Sequence, residues 1–164
     1  MIYFLGLGSN LGRRSANLAR ARRRLERAGV AILRVSSVYE TEPVDYAGQA
    51  WFLNQVVEVR SGLEPAALLR LAKSIEAEMG RVPTVAKGPR TIDIDILLAE
   101  DMVVDAPELA VPHPRLHLRN FVLVPLAELA PEARHPVLGR TAAELLAASA
   151  DKSRVLKAGS RRRR

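Results

Sequence analysis

Cysteine is absent from the 164 residues. That excludes disulfides, thiolate metal sites and a cysteine nucleophile. Aromatics are scarce, at 4% with one tryptophan, and no stretch has the basic–glycine–aromatic pattern of an RNA-stacking sheet. No apolar run approaches the ~20 residues of a membrane helix. The start, Met1 to Gly8, lacks a basic region and meets Gly6 and Gly8 too early for a signal peptide. A cytoplasmic protein with no membrane partner is expected. A Gly-x-x-x-x-Gly-Lys phosphate loop is missing, and Gly6-x-Gly8-x-x-Leu11 puts leucine where a dinucleotide fingerprint needs glycine. Asn and Gln total six and arginine outnumbers lysine 21 to 4, which fits heat adaptation or a GC-rich genome.

What is present suits one globular domain. Apolar residues make up 48% and charged residues 26%, ordinary values for a soluble fold. The net charge of +7 is uneven. Residues 151–164 hold seven basic side chains and Asp151, so +6 lies there and +1 remains for residues 1–150. Residues 1–150 are therefore expected to form the domain and 151–164 a basic, disordered tail. Such a tail attracts polyanions without specificity, so no specific nucleic-acid partner is expected.

Hydrophobic periodicity gives a coarse map. Residues 2–8 read as a buried strand, followed by a helix to Ala28 with Ser9 and Asn10 as cap candidates and Leu11, Leu18 and Leu25 on its stripe. Gly6 and Gly8 are assigned to a tight strand-to-helix turn. Val30 to Tyr39 and Phe52 to Arg60 read as strands. Pro65 to Met79 reads as a helix, Ile92 to Leu98 as a strand, and Phe121 to Leu129 and Thr141 to Ser149 as short helices. The order β-α-β-β-α-β is the ferredoxin-like split arrangement. The fold class is α+β, with an antiparallel sheet, helices packed on one face and an open ligand-binding face.

The sharpest chemical signal is Gly88-Pro-Arg-Thr-Ile-Asp-Ile-Asp-Ile-Leu-Leu98. On a strand, Asp93 and Asp95 share a face, roughly 7 Å apart at Cα, while Ile92, Ile94 and Ile96 point to the core. Strands disfavour aspartate, so two on one face suggest a task. Hard oxygens at this spacing suit Mg²⁺, which takes further ligands from water and substrate phosphates. Arg90 is a natural phosphate partner. Phe52 and Asn54 also share a face, and a ring beside an amide can read a flat heterocycle. His113, Arg115, His117 and Arg119 fall in a proline-bounded loop, where His113 and Arg119 offer positive charge and hydrogen-bond donors to a polyphosphate. Three readings stay open from the residues alone. One is Mg²⁺-dependent transfer from a nucleoside triphosphate to a small planar acceptor. The others are a polymerase-β-like nucleotidyltransferase and a ferredoxin-like RNA-binding module.

Several blocks resemble the 6-hydroxymethyl-7,8-dihydropterin pyrophosphokinase family. They are Leu7 to Gly12, Ser36 to Pro43, Phe52-Leu53-Asn54, Gly80-Arg81, Gly88 to Leu98, and Val111-Pro112-His113 followed by Arg119 and Phe121. The resemblance spans about residues 2–130. It implies transfer of the pyrophosphoryl group of ATP to the pterin hydroxymethyl, with AMP released. It implies that Asp93 and Asp95 bind two Mg²⁺ ions, and that Arg81 and Arg90 act in catalysis beside them. It places Phe52, Phe121, Asn54, Thr41 and Val44 at the pterin. Glu76, Arg90, Ile96, His113 and Arg119 fall to ATP. The partners are then ATP and the dihydropterin, and a monomer is expected. Two departures stand out: Pro83 and Lys87 in the segment Val82 to Lys87, and Asp45 where the family pattern has glycine.

Overall fold

The structure is a computed structural model, and it describes residues 1–43, 48–80 and 90–159. Val44, Asp45, Arg81 and the segment Val82 to Lys87 lie outside the described residues.

The central strand is β1 (Ile2–Ser9). It pairs antiparallel with β4 (Phe52–Arg60) on one side and β5 (Asp93–Ala99) on the other. Beyond β4 lie β2 (Ala31–Val35) and β3 (Tyr39–Thr41), also antiparallel to it. Residues 36–38 break what the sequence suggests is one strand. Ser36 turns its hydroxyl to accept the Val56 N–H, and its carbonyl accepts Gln55 Nε2. A two-stranded ribbon of β6 (Val104–Ala106) and β7 (Leu109–Val111) follows β5.

One face of the sheet packs on α1 (Arg14–Arg27) and α2 (Pro65–Glu78). Tyr3, Leu5, Leu7, Val57, Val59, Ile94 and Ile96 meet Leu18, Ala21, Leu25, Leu68, Ala72 and Ile75 in a single core. Pro65 suits the first turn of α2 because its missing N–H is not needed there. Helix α1 starts later than its sequence suggests. Ser9 stays in β1 opposite Leu53, Gly12 takes a left-handed φ of 73°, and Leu11 is exposed. Asn10 spends its side chain elsewhere, so neither Ser9 nor Asn10 caps the helix.

The opposite face is not left open along its length, as a one-sided helical layer would leave it. Helices α3 (Asn120–Leu129) and α4 (Ala142–Ala147) cover one end, with Val122, Leu123, Leu126 and Leu145 packed on Val56, Leu97 and Phe4. The alternation along three strands shows where the cover stops. On this face β1 reads Phe4, Gly6, Gly8. β4 reads Val56, Asn54, Phe52. β5 reads Leu97, Asp95, Asp93. The apolar ends lie under α3, and the polar and glycine ends do not.

The C-terminal segment is also ordered further than its charge suggests. Strand β8 (Val155–Lys157) pairs antiparallel with β3, so residues 151–159 are part of the fold and the expected disordered tail does not begin at 151. Ladder bonds to an edge strand and an Asp151 hydrogen bond to α3 outweigh the repulsion of a few like charges.

Among the described residues no strand pairs with the outer edge of β5; Glu76 of α2 and the His113 N–H bond to it instead. Glu76 is buried and its Oε2 accepts the Ile94 N–H at 2.7 Å. Glu76→Ala leaves that buried donor unpaired. A loss of about 1–3 kcal/mol in urea unfolding is expected; an unchanged midpoint would show that β5 does not depend on it.

Candidate active site

The uncovered end of the sheet face is a cavity. It is lined by Gly6, Leu7, Gly8, Thr41, Pro43, Gln49, Phe52, Asn54, Arg90, Asp93, Asp95, Arg119 and Phe121. Eight of the residues singled out from sequence therefore meet in one place: Thr41, Phe52, Asn54, Arg90, Asp93, Asp95, Arg119 and Phe121. Val44 and Arg81 lie outside the described residues. Ile96 does not line the cavity, because alternation buries it in the core on the face opposite Asp95. Glu76 does not line it either, since it is buried against the edge of β5.

The floor is made by register. Gly8 pairs with Asn54 on one side and Asp93 on the other, and Gly6 pairs with Asp95. Adjacent strands lie ~4.8 Å apart, so Asn54 and Asp93 are roughly 10 Å apart at Cα with a bare glycine between them. A Cβ on Gly8 would sit 2.6 Å from Asn54 Oδ1 and 3.6 Å from Phe52 Cδ1. Gly6 and Gly8 are thus strand residues that keep a side chain out of the cavity, not the hinge of a turn. Their φ is not left-handed.

Asn54 donates from Nδ2 to Thr41 Oγ1 at 2.7 Å. That bond fixes the amide plane and uses one of its two N–H groups. Asn10, nearly fully buried, pins two walls together. Its Oδ1 accepts the Arg90 N–H at 2.7 Å, and its Nδ2 donates to Gln49 Oε1 at 2.7 Å and to the Ala50 carbonyl at 3.0 Å. Arg14 adds a tie from α1 to the carbonyl of Trp51 at 2.9 Å and to Glu40 at 3.0 Å.

Arg90 Nη1 stands 3.6 Å from Asp93 Oδ1, so the nearer acid is partly offset by a cation. Arg119 lies 5.5 Å from the ring centre of Phe121, a cation–π contact that steadies both side chains. No group of three or more acid or imidazole ligands occurs among the described residues. Two carboxylates on one strand face, open to the cavity, form an incomplete set that suits a hard cation completing its shell with water and phosphate oxygens.

His113 keeps the donor part of its expected role but not the charge. It sits in the loop after the β6–β7 ribbon, where its N–H bonds the Leu97 carbonyl at 3.0 Å. Its imidazole is held below the usual 6.5, by burial first and then by Arg119 and Arg115, against the pull of Asp93. At neutral pH it is uncharged. Its Nδ1 accepts the Arg115 N–H at 3.2 Å, which leaves the proton on Nε2. It offers a neutral donor rather than positive charge.

Against this geometry, residues 4–131 match the model of the 7,8-dihydro-6-hydroxymethylpterin-pyrophosphokinase (HPPK) family. The chain belongs to this family. It is 48% identical over 129 residues to the 2-amino-4-hydroxy-6-hydroxymethyldihydropteridine pyrophosphokinase of Bacillus subtilis, spanning 78% of this chain and 77% of that protein. The enzyme of the same name from Aquifex aeolicus is 42% identical over 134 residues, with 82% and 83% covered. The folic acid synthesis protein fol1 of Schizosaccharomyces pombe is 45% identical over 136 residues, but the chain spans only 19% of its length. Among solved structures, an HPPK-DHPS triple mutant of Plasmodium falciparum with pteroate superposes with a TM-score of 0.71 at 19% identity. It covers 89% of this chain and 42% of that one, and so speaks for the fold alone. The HPPK match contains every cavity-lining residue named above.

Sequence reasoning missed Gln49 and the floor role of Gly6 and Gly8. The signal was available for the glycines, because three strands in antiparallel register put Gly8 opposite both Asn54 and Asp93.

Two outcomes follow from this geometry. Gly8→Ala should displace the Asn54 amide while the fold persists, since the clash is with the far end of a side chain. Acceptor KM is expected to rise roughly three- to tenfold, the scale of one lost hydrogen bond to a positioned amide; an unchanged KM would remove the bare-floor account. Second, His113 and His135 both have depressed pKa values. The unfolded chain therefore binds more protons, and stability falls as pH drops through 6.5 and below. His113→Gln should flatten that slope between pH 7 and 5, as followed by urea unfolding. An identical slope would show that His113 is not held neutral.

Proposed function

We infer that the chain transfers the β,γ-pyrophosphoryl group of ATP to the hydroxymethyl oxygen of 6-hydroxymethyl-7,8-dihydropterin. Family membership and the curated relatives that carry this activity in their names support the reading. The observation that carries it is the row Asn54–Gly8–Asp93, which puts an amide-and-ring slot beside a carboxylate pair. The strand order β5-β1-β4 followed by β2 and β3 supports a ferredoxin-like core.

In this reading the pterin lies flat over Gly8, between Phe52 and Phe121, with its amide edge against Asn54 and Thr41. Val44 belongs to the same wall by resemblance. Asp93 and Asp95 would hold two Mg²⁺ ions. When bound, these ions neutralise charge on the triphosphate and fix its path. The acceptor hydroxyl oxygen forms a bond to the β-phosphorus. The bond from that phosphorus to the oxygen bridging to the α-phosphorus breaks, and AMP leaves. Arg90 and Arg119, with Arg81 by resemblance, offset charge on the transferring group. His113 donates Nε2–H without adding charge. The largest contribution from the chain is positioning: two substrates held in one cavity with water displaced. An aspartate is a poor base at neutral pH, and the hydroxyl proton is released to solvent as AMP leaves.

The test is AMP formation from ATP with and without the dihydropterin. Acceptor-dependent AMP is expected. Pyrophosphate release would favour a nucleotidyltransferase instead, and RNA binding without turnover a binding module. Asp95→Ala should lower kcat roughly a hundred- to a thousandfold, the scale of one lost electrostatic stabiliser of the transition state, with the circular dichroism spectrum unchanged. Near-normal turnover at saturating Mg²⁺ would contradict the metal assignment.

A further inference from the structure

The HPPK match ends at residue 131, yet a segment beyond it holds two walls of the cavity. The first wall is the start of α3. Arg119 provides no side-chain cap there. Instead Asp151, 31 positions away, accepts the Asn120 N–H on Oδ2 at 2.8 Å, and its carbonyl accepts Asn120 Nδ2 at 3.1 Å. Asn120 stands between Arg119 and Phe121, both of which line the cavity. A carboxylate suits this place, because the first turn of a helix presents unpaired N–H groups and a positive partial charge. Burial alone would raise the Asp151 carboxyl. Hydrogen bonds from Asn120 and Ser153, with the charge of Arg119, hold it below the usual range instead.

The second wall is the end of β3. Val155 pairs with Thr41. Arg154 N–H donates to Glu42 Oε1 at 2.8 Å, and Glu42 N–H donates to the Arg154 carbonyl at 3.2 Å. The Arg154 guanidinium lies 5.1 Å from the ring centre of Trp51, the residue before Phe52. Lys157 then returns to α3, 3.5 Å from Glu128. The segment therefore joins the Thr41–Phe52 wall to the Arg119–Phe121 wall, which no ladder of the sheet does.

We propose that residues 151–157 are a strap that sets the width of the ring slot, with Asp151 and Arg154 as positioning residues for substrate. Arg154 fixes Glu42 and Trp51, which flank Thr41 and Phe52 on the acceptor side of the slot. Asp151 fixes the start of α3, where Phe121 meets the acceptor and Arg119 meets the triphosphate. A strand that merely seals a sheet edge would stabilise the fold without separating the two substrates. The proposal rests on the assignment of the slot to the dihydropterin.

The experiment compares the full chain with Arg154→Ala, Asp151→Ala, Asp151→Asn and Lys152→Ala, measuring KM for each substrate, kcat and Tm. Arg154→Ala keeps the two backbone bonds to Glu42 and removes the guanidinium from Trp51; acceptor KM should rise roughly two- to fivefold, the scale of one exposed cation–π contact, with ATP KM unchanged. Asp151→Ala should raise both KM values. Asp151→Asn keeps an oxygen for the Asn120 N–H and should restore most of the loss. Lys152→Ala removes an exposed charge from the same segment and should match the unaltered chain. Any pattern in which Arg154→Ala leaves acceptor KM unchanged, or raises both KM values equally with a fall in Tm, overturns the proposal. Two readouts need no turnover: amide exchange at Asn120 and the emission of Trp51, the chain's single tryptophan. Should the unaltered chain form no acceptor-dependent AMP, the slot assignment fails, while these two still report whether the strap's contacts exist.

Discussion

The site depends on a middle strand with nothing on it. Beta-sheets put neighbouring side chains about 5 Å apart, and a flat ring beside a charged triphosphate needs more room than that. Gly8 supplies it by separating the Asn54 amide from the Asp93 carboxylate across one row of the sheet. The contact that a Cβ there would make with Asn54 Oδ1 shows that no larger residue fits without moving the amide. A glycine inside a strand costs conformational entropy and packing. Here β1 is held on both sides by long ladders and packs Tyr3, Leu5 and Leu7 into the core, so the fold tolerates the weakness.

The same face divides between structure and chemistry along its length. Phe4, Val56 and Leu97 take α3 and α4, which gives that end a second apolar core. The residues beyond them are glycine, amide and acid, and no helix covers them. The cavity is therefore bounded by packing on one side. On its rim, long-range ties hold the walls together: Asn10 joins Arg90 to Gln49, Arg14 reaches the Trp51 carbonyl, and the 151–157 segment spans from α3 to β3.

Much of this was legible in the sequence because period-two alternation is a strong signal. It placed Asp93 and Asp95 on one face, Ile94 and Ile96 on the other, and Phe52 with Asn54. The motif resemblance added the partners. What failed did so for physical reasons. Ser9 and Asn10 have the chemistry of helix caps, but Ser9 is taken by strand pairing and Asn10 by Arg90, Gln49 and Ala50. Propensity for α3 was visible, yet not the face it covers, since that depends on contacts across the chain. Alternation alone gave no role to Glu76 and Ile96, which were assigned to the nucleotide by resemblance and whose buried side chains are not part of the cavity lining. His113 looked like a source of charge until Arg115, Arg119 and burial held it neutral. Strand β8 was hidden because a short basic segment becomes a strand only when an edge such as β3 awaits it.

The most direct test is a crystal structure grown with Mn²⁺, a non-hydrolysable ATP analogue and 6-hydroxymethyl-7,8-dihydropterin, with anomalous scattering to locate the metal. The account requires two manganese peaks ligated by Asp93 and Asp95, and the ring lying over Gly8 against Phe52 and Asn54. Manganese bound elsewhere, or a ring outside that row, would contradict it.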